Sequence, residues 1–223
     1  MRPSNRSSVL RVFSCPVHGV PPHGLQACDQ CEQSLEERRY HTIVADPPWH
    51  YGHRPGNFER ATVNGVRQAA THAAPDVSLP YATLSVEEIS ALPVSELAER
   101  DAHLYLWTTQ RYLRDAYDVV DAWGFAPSAV LVWCKPPKGI VGTFICSTEY
   151  ILFARRGSLA AKRKHLGTWF TWNRGEHSAK PEAFLDLVEE ISPGPYLELF
   201  ARRNRFGWDT WGNEALAHVE LRP

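Results

Sequence analysis

Short apolar runs rich in β-branched residues alternate along the chain with stretches of helical periodicity. Each apolar run is short enough for a buried strand, and each periodic stretch has one apolar face. The predicted strands are residues 40–46, 102–107, 128–134, 148–155 and 195–201. The predicted helices are residues 85–100, 109–124 and 180–191. Strands alternating with helices of these lengths predict an α/β fold built on a doubly wound sheet.

Two of the predicted helices have recognisable end signals. Ser85 followed by Glu88 forms a capping box at the start of the first helix. Pro93 lacks a backbone N–H and therefore splits that segment into two short helices. Gly124 follows the second helix and is expected to end it, because glycine adopts the left-handed conformation of a helix C-terminus at little cost.

Three regions differ in pattern and predict the domain organisation. Residues 1–10 are polar and predict a disordered start. Residues 11–39 are dense in Cys, His, Gly and Pro, and they predict a small module followed by a charged join. Residues 40–223 contain all the predicted strands and helices and predict one α/β domain. Within that domain, residues 50–80 have no period, and a loop of this length is usually functional or disordered.

Length and charge argue against several classes of protein. The 223 residues suffice for one sizeable core. Lys and Arg number 24 against 25 Asp and Glu, and the formal net charge of -1 argues against a partner bound mainly through overall positive charge. The chain shows no basic-then-apolar leader and no apolar run near the ~18 residues that a membrane span needs. We therefore expect a soluble, cytoplasmic protein without a membrane partner.

Four side chains near the amino terminus have the spacing of a structural zinc site. Cys15 and His18 form one pair, Cys28 and Cys31 form the second, and two such pairs complete a tetrahedron. A segment of about 20 residues cannot bury enough apolar surface to fold alone, so the metal would supply its folding energy. The spacing predicts structural Zn without a catalytic role, and His23 is an alternative to His18. A flexible tail with free thiols is the competing interpretation.

The sharpest chemical motif is Asp46-Pro47-Pro48-Trp49, which follows the first predicted strand. Ligands of an open α/β sheet bind beyond the carboxyl ends of its strands, so this tetrapeptide is placed to meet one. The prolines cannot extend the hydrogen bonding of the strand and leave carbonyl oxygens free to accept. Asp46 adds a strong acceptor, and Trp49 adds a flat stacking surface.

These groups suit a planar ligand that bears an amine, such as adenine. If Asp46 and the Pro47 carbonyl accepted both amine hydrogens, the nitrogen lone pair would point outward to a methyl donor. Trp49 would hold the base in plane. The alternative interpretation is a turn that stops the strand, in which Asp46 is only a cap.

Seven further motifs follow DPPW in order along the chain. They are YATLS (81–85), AHLYLWTT (102–109), WGF (123–125), VWCKP (132–136), SAKP (178–181), ISPGPYLELF (191–200) and RRNRFGWDTWGNE (202–214). Together with DPPW they resemble the MT-A70 family over roughly residues 41–214. The resemblance implies a Rossmann-like methyltransferase domain that uses S-adenosylmethionine to methylate the N6 amine of adenine in nucleic acid.

The resemblance also implies roles for individual residues. The residues at the target amine and methyl-transfer site would be Asp46, Pro47, Pro48, Trp49 and Tyr81. The cofactor-binding residues would be Lys180, Arg202, Asn204, Asn213 and Glu214. Lys180 also starts a predicted helix, where positive charge suits the carboxylate of the cofactor. The alternative for Lys180 is a solvated charge at the helix start.

Several positions depart from the family pattern or lack a role in it. Family members often have an acidic segment before DPPW that contacts the cofactor, and Cys28-Asp29 takes that place here, so metal and cofactor compete for one stretch. No Gly-x-Gly-x-x-Gly motif is present. Glu198 alternates with apolar neighbours, which predicts a side chain that faces water. Arg203 and Arg205 are predicted to be a surface cluster or to contact phosphate.

A local basic segment points to a nucleic-acid substrate. Residues 154–165 contain five basic side chains and a histidine without an acid, next to the aromatic-rich residues 167–174. Such a combination suits a phosphate backbone with a base displaced from its stack. The predicted nucleic-acid contacts are Arg155, Arg156, Lys162, Arg163 and Lys164. A solvated connector is the alternative. The base must be flipped or single-stranded to reach DPPW, and residues 50–72 are a candidate for wrapping it.

The compact chain resembles the prokaryotic or phage members of the family, which favours DNA over RNA as the substrate. A homodimer or a partner subunit is compatible with the sequence. The alternatives are a catalytically silent nucleic-acid-binding subunit, a zinc-ribbon binding module and a cytosine N4-methyltransferase. The intact DPPW motif favours an active enzyme over a silent subunit.

Overall fold

The computed structural model describes an α/β domain together with two short terminal strands. The described residues are 11–12, 38–50, 83–135, 144–173, 179–212, 215 and 219–220. The strands are β1 (Arg11–Val12), β2 (Tyr40–Ala45), β3 (Ala98–Thr108), β4 (Ala126–Cys134), β5 (Thr148–Arg156), β6 (Trp169–Thr171), β7 (Tyr196–Leu199), β8 (Trp208–Trp211) and β9 (Val219–Glu220). The helices are α1 (Val86–Ser90), α2 (Val94–Leu97), α3 (Leu113–Ala122) and α4 (Glu182–Ile191).

Seven strands form one mixed sheet in the order β6-β4-β5-β3-β2-β7-β8. Within this sheet β5 is antiparallel to β3 and β4, and the other neighbours pair in parallel. The carboxyl ends of β2, β3, β4 and β7 therefore lie at the same edge as the amino end of β5. We call this the carboxyl edge, and we call the opposite edge, where β5 ends, the amino edge. β1 and β9 pair in a separate antiparallel sheet.

Helices cover both faces of the seven-stranded sheet. Ile89 of α1 and Val119 of α3 are fully buried in the core on one face. Phe184 of α4 packs edge-on against Tyr105 and Trp107 of β3 on the other face. Successive residues of a central strand thus point into two different cores, so both are buried. This mixed α/β arrangement fits a Rossmann-like methyltransferase fold.

Three predicted signals at helix ends are confirmed. The Ser85 hydroxyl accepts from the N–H of Glu88 at 3.2 Å, and the Glu88 carboxylate accepts from the N–H of Ser85 at 2.7 Å. Pro93 separates α1 from α2. Gly124 follows α3 with a φ of 77°, the left-handed conformation that favours glycine. These local signals therefore mark the start of α1, the break between α1 and α2, and the end of α3 as expected.

Some elements differ from their predicted bounds. β3 begins at Ala98, so residues predicted as the end of a helix are the polar start of a long strand. α3 begins at Leu113 rather than residue 109, because the N–H of Tyr112 donates to the Thr109 carbonyl in a turn. β6 and β8 were not predicted, since both are short and rich in tryptophan. β4 and β5 pair directly, which interrupts the expected alternation of strands and helices.

The predicted zinc ligands are not part of the described chain. Cys15, His18, Cys28 and Cys31 lie outside the described residues, so structural zinc stays a prediction. The described segments contain no group of His, Cys, Asp and Glu side chains that could hold a metal ion. None of the helices among them is long and apolar enough to cross a membrane.

Candidate active site

Four charged side chains lie next to one another at the carboxyl edge. They are Lys135 after β4, Glu149 in β5, Lys180 before α4 and Asp46 after β2. The Lys180 Nζ atom lies 2.7 Å from Asp46 Oδ2 and 3.4 Å from Glu149 Oε2. The Lys135 ammonium contacts the other oxygen of Glu149, Oε1. We call these four residues the ion-pair row.

The ion-pair row rests on aromatic rings. The Lys180 Nζ atom lies 5.1 Å from the centre of the Trp107 ring, and the Lys135 Nζ atom lies 5.1 Å from that of Trp133. The four charged side chains are between 16% and 23% exposed. Charges attract more strongly in such partly buried surroundings than at the surface, and each ammonium gains a cation–π contact.

The pKa values of two members of the row show that the opposite charges outweigh burial. Burial by itself would raise the pKa of Glu149, but the Lys180 and Lys135 ammonium groups hold that pKa below its usual value. Burial would likewise lower the pKa of Lys180, but Asp46 and Glu149 raise it above its usual value. Glu149 and Lys180 are therefore both charged at neutral pH.

The backbone of the DPPW turn is tied to two neighbouring segments. The N–H of Asp46 donates to the Leu199 carbonyl at 3.4 Å. The Pro47 carbonyl accepts from the N–H of Trp49, and the Pro48 carbonyl accepts from the N–H of Leu84, both at 2.9 Å. The expectation of free carbonyl oxygens is therefore wrong, because each of the two proline carbonyls already accepts one backbone hydrogen bond. The Pro47 oxygen keeps a second lone pair for a ligand.

The side chain of Trp49 anchors this turn. Its indole N–H donates to the Trp107 carbonyl at 3.1 Å. Its ring stacks on Tyr112, with centroids 5.2 Å apart and an angle of 16° between the planes. Trp49 is 3% exposed, so it does not present the open stacking face that the sequence suggested. It instead fixes the position of the residues before it.

Glu198 of β7 does not face water as its alternation predicted. It pairs in register with Val44, on the side of the sheet that α4 covers. Its Oε2 atom is buried and has no hydrogen-bond partner among the described residues. Burial, reinforced by Asp46, raises the pKa of Glu198 to about 7, against the opposing charges of Arg203, Arg205 and Lys180. A buried oxygen without a partner among these residues is a candidate acceptor for a ligand that donates or carries positive charge.

The loop after β7 contains two of the predicted cofactor-binding residues. Because β7 is the neighbour of β2, this loop lies at the carboxyl edge beside Asp46. Asn204 is exposed, and its amide donates to the Thr210 hydroxyl at 3.0 Å, while Arg202 is half-buried. A Cβ atom on Gly212 would lie 2.1 Å from the Ala201 oxygen, so only glycine fits there. Of the predicted catalytic and cofactor-binding residues, those outside the described chain are Tyr81, Asn213 and Glu214.

Two further arginines of this loop bind α4. Arg203 lies 2.9 Å from Glu182 at the start of the helix. Arg205 lies 2.9 Å from Glu189 and 2.6 Å from Asp186. These ion pairs connect the loop to the helix that follows Lys180. Arg203 and Arg205 thus have defined partners on α4, whereas the sequence predicted a surface cluster or a contact with phosphate.

The predicted nucleic-acid contacts lie at the amino edge, away from Asp46. Because β5 is antiparallel, Arg155 and Arg156 at its end pair in register with the early part of β3. Arg156 donates to the Ser95 carbonyl at 2.7 Å, and Arg155 donates to the Leu159 carbonyl at 3.0 Å. The structure therefore does not bring these two arginines to the DPPW turn.

The other three predicted contacts follow in the loop after β5. Arg163 forms an ion pair of 2.7 Å with Glu190 near the end of α4. Lys162 donates to the hydroxyl of Tyr196, at the start of β7, over 3.2 Å. Lys164 is exposed. Both partner residues belong to the amino edge, so this segment also lies opposite the ion-pair row.

Lys135 and Glu149 belong to the site, although the sequence did not single them out. Lys135 lies in the motif VWCKP, and Glu149 lies at the start of a predicted strand. The sequence did contain one indication of their role, since each is a charged residue at the end of an apolar strand. A partly buried charge at such a position needs a partner of opposite charge. Their partners come from separate parts of the chain, so only the fold could show them.

Comparison with known proteins connects this arrangement to a family. The MT-A70 family model matches residues 40–214, which include the DPPW turn, the ion-pair row and the loop after β7. The chain belongs to the MT-A70 family. The MT-A70 match thus contains every residue that the structure places at the carboxyl edge, and the N-terminal Cys and His residues precede it.

Individual MT-A70 relatives differ in how much of their length the chain spans. The type II methyltransferase M.MunI of a Mycoplasma species is 30% identical over 192 residues, which cover 83% of this chain and 82% of M.MunI. Human METTL3, an N(6)-adenosine-methyltransferase catalytic subunit, is 23% identical over 188 residues, which cover 79% of this chain and 28% of METTL3. The N6-methyladenosine RNA methyltransferase MTA1 of Cryphonectria parasitica is 26% identical over 209 residues, which cover 87% of this chain and 57% of MTA1.

Proposed function

We propose that this protein transfers a methyl group from S-adenosylmethionine to the N6 amine of adenine in nucleic acid, with DNA preferred over RNA. The observation that carries the proposal is the Asp46 carboxylate, held 2.7 Å from Lys180 at the carboxyl edge within the region that matches the MT-A70 family. MT-A70 methyltransferases use S-adenosylmethionine.

The donors and acceptors near Asp46 fit this cofactor. The Glu198 oxygen that lacks a partner within the described part of the chain suits its α-ammonium group. The Lys180 ammonium has three N–H donors and contacts two carboxylates, so one donor remains for the carboxylate of the cofactor. Lys180 also precedes α4, whose first N–H groups favour an anion. When bound, the cofactor supplies an electrophilic methyl group.

The chain itself would act mainly by orienting the target amine. Asp46 would accept one amine hydrogen, and the second lone pair of the Pro47 oxygen would accept the other. The nitrogen lone pair would then point to the methyl group. The new C–N bond would form as the methyl–sulfur bond breaks, S-adenosylhomocysteine would be the leaving group, and one proton would pass from the nitrogen to water. Trp49 would hold the turn in place through its bond to Trp107 rather than stack on the base.

The substrate would present its adenine outside a base stack, because an amine inside a duplex cannot reach the DPPW turn. The basic residues at the amino edge would contact phosphates farther along the same molecule. β5 spans nine residues between the two edges, or about 30 Å. A duplex touching both edges would therefore cover about nine base pairs.

The preference for DNA rests on the size of the chain. The chain spans most of M.MunI but smaller parts of METTL3 and MTA1, in keeping with the compact members of the family. The N-terminal Cys and His residues would bind structural zinc and support the fold or contact nucleic acid. We also propose that the protein works as a homodimer or with a partner subunit, and that it is located in the cytoplasm.

Methylation of defined substrates tests the proposed function. The protein is incubated with S-adenosylmethionine and single- or double-stranded DNA or RNA, and the nucleosides are analysed by mass spectrometry. We expect N6-methyladenine, mainly in DNA, and none with the Asp46→Ala variant. N6-methyladenine in RNA alone would contradict the preference for DNA, and N4-methylcytosine would contradict the choice of base. Failure to bind S-adenosylhomocysteine would favour a nucleic-acid-binding module.

Glu198→Gln tests the cofactor site through its pH dependence. In the free wild-type protein the pKa of Glu198 is raised to about 7, so the side chain is mostly protonated below that pH. Above that pH it is mostly ionised and attracts the α-ammonium of S-adenosylhomocysteine. We expect the affinity of the wild type to rise up to about tenfold between about pH 6 and about pH 8, and that of Glu198→Gln to stay flat. Calorimetry measures both, and parallel curves would contradict the assignment.

Glu198→Gln should also change how the free energy of unfolding of the ligand-free protein depends on pH. The folded-state pKa of Glu198 is raised, so between the ordinary pKa of a glutamate and about pH 7 the folded protein binds more protons than the unfolded chain. The free energy of unfolding therefore falls as the pH rises to about 7. Glu198→Gln removes this decline. The charged groups that face Glu198 (Asp46, Lys180, Arg203 and Arg205) are unchanged, so the comparison isolates its titration.

A further inference from the structure

Lys135 is a charged residue that the proposed reaction does not yet use. Its N–H donates to the Ser147 carbonyl at 2.7 Å, which fastens it to the chain that enters β5. Its ammonium contacts Glu149 and lies over the Trp133 ring, and the side chain is 16% exposed. Lys135 is therefore directed along the carboxyl edge toward the site and not into solvent.

Glu149 divides its two oxygens between two lysines. Oε1 contacts Lys135, and Oε2 lies 3.4 Å from Lys180, whose distance to Asp46 is shorter at 2.7 Å. Without Lys135, Glu149 would keep one ammonium partner among the described residues, Lys180. Electrostatic attraction would then draw Lys180 toward Glu149 and away from Asp46.

We propose that Lys135 is a positioning residue for methyl transfer, which neutralises Glu149 and so leaves Lys180 bound to Asp46. The Asp46 carboxylate then stays aimed at the target amine. Lys135 acts through Glu149 and Lys180 and does not touch the amine. The proposal rests on the proposed function, since it concerns how Asp46 is held during that reaction.

A direct contact between Lys135 and a phosphate of the substrate is the competing role, and kinetics separate the two. A phosphate contact would contribute to nucleic-acid affinity, so its loss would raise KM. It would also be independent of Glu149. A positioning role would lower kcat and would depend on the Glu149 charge, because Glu149 is the group that Lys135 neutralises.

Lys135→Met removes the charge while keeping a long side chain. We expect kcat to fall about 100-fold, since a small displacement of a reacting group has effects of this order. KM for nucleic acid should change less than about twofold, because in this proposal Lys135 does not contact the substrate. Lys135→Arg should restore most of the rate. Arg114→Met, on the exposed side of α3, is the matched control and should behave like the wild type.

The decisive comparison makes Lys135→Met in a protein that already contains Glu149→Gln. In it, Lys135→Met should lower kcat less than about threefold, because the anion that Lys135 neutralises is gone and the two effects are not additive. Thermal melting shows whether each variant folds. If Lys135→Met does not fold, Lys135→Gln, which retains a hydrogen-bond donor for Glu149, replaces it in the same cycle.

Two kinetic results would overturn the proposal. One is an unchanged kcat in Lys135→Met, whether or not KM rises, and the other is an equally large loss of rate when Lys135→Met is made in the Glu149→Gln background. The wild type in the same assay reports on the proposed function separately. If it transfers no methyl group, the carbon-13 signal of the labelled Asp46 carboxyl still tests the contact. That signal should shift in Lys135→Met and not in Arg114→Met, and an equal signal in both would overturn the proposal.

Discussion

Asp46→Asn should lower the rate of methyl transfer by about 1,000-fold or more, in the range expected when a group that contacts the reacting atoms is lost. Asparagine keeps the size of the side chain but loses the charge that accepts the amine hydrogen and binds Lys180. Asp46→Ala removes the acceptor altogether and should leave no measurable transfer. Rates at saturating substrate, measured with tritiated S-adenosylmethionine, check both expectations.

The controls for Asp46 separate chemistry from folding and binding. Asp118→Asn, on the exposed side of α3, makes the same chemical change away from the carboxyl edge and should retain the wild-type rate. The Kd of S-adenosylhomocysteine should be largely preserved in Asp46→Asn, because the assigned role of Asp46 concerns the amine. A variant that keeps more than about a tenth of the activity would remove Asp46 from the reaction.

Lys180→Met should reduce both stability and activity, because Lys180 contacts two carboxylates at once. Removing one partner of a buried ion pair costs about 3–5 kcal/mol, and the partial exposure of this site places the expected loss near the lower end, about 3 kcal/mol. Cofactor affinity should weaken by about 1–3 kcal/mol, as for a lost charged hydrogen bond. Urea unfolding and calorimetry measure the two effects, and Lys180→Arg should recover part of each.

The pH dependence of Lys180→Met gives a second signature. The lowered pKa of Glu149 stabilises the wild type above the ordinary carboxyl pKa of about 4. This stabilisation is lost as the pH falls through the folded-state value. The raised pKa of Lys180 stabilises the wild type up to alkaline pH. The difference in stability between wild type and variant should therefore be largest near neutral pH and should narrow in acid. A constant difference would mean that Lys180 contributes through packing alone.

The sequence predicted the elements that local patterns specify. A capping box, a helix-ending glycine and short apolar runs are determined by neighbouring residues, so Ser85, Gly124 and β2 were found where expected. Strand direction is determined by partners that are distant along the chain. The antiparallel direction of β5 was therefore not predicted. For the same reason the position of Arg155 and Arg156 at the amino edge was not predicted either.

The candidate site was predicted in part for the same reason. Asp46 and Lys180 stood out through their motifs, but their contact joins positions 134 residues apart. Glu198 looked like a solvent-facing residue because alternation indicates one wet face, whereas β7 lies between two strands and is covered on both faces. Trp49 looked like a stacking platform because the sequence does not reveal that Tyr112 already occupies its face.

The burial of the ion-pair row has a consequence for the effect of ionic strength. Dissolved ions screen exposed charges at a distance of about 8–10 Å near physiological salt, but they screen partly buried pairs much less. Added salt should therefore weaken the capture of a polyanionic substrate steeply and leave the geometry around Asp46 intact. Turnover at saturating substrate should persist in salt concentrations that suppress binding, so a salt titration separates encounter from chemistry without any substitution.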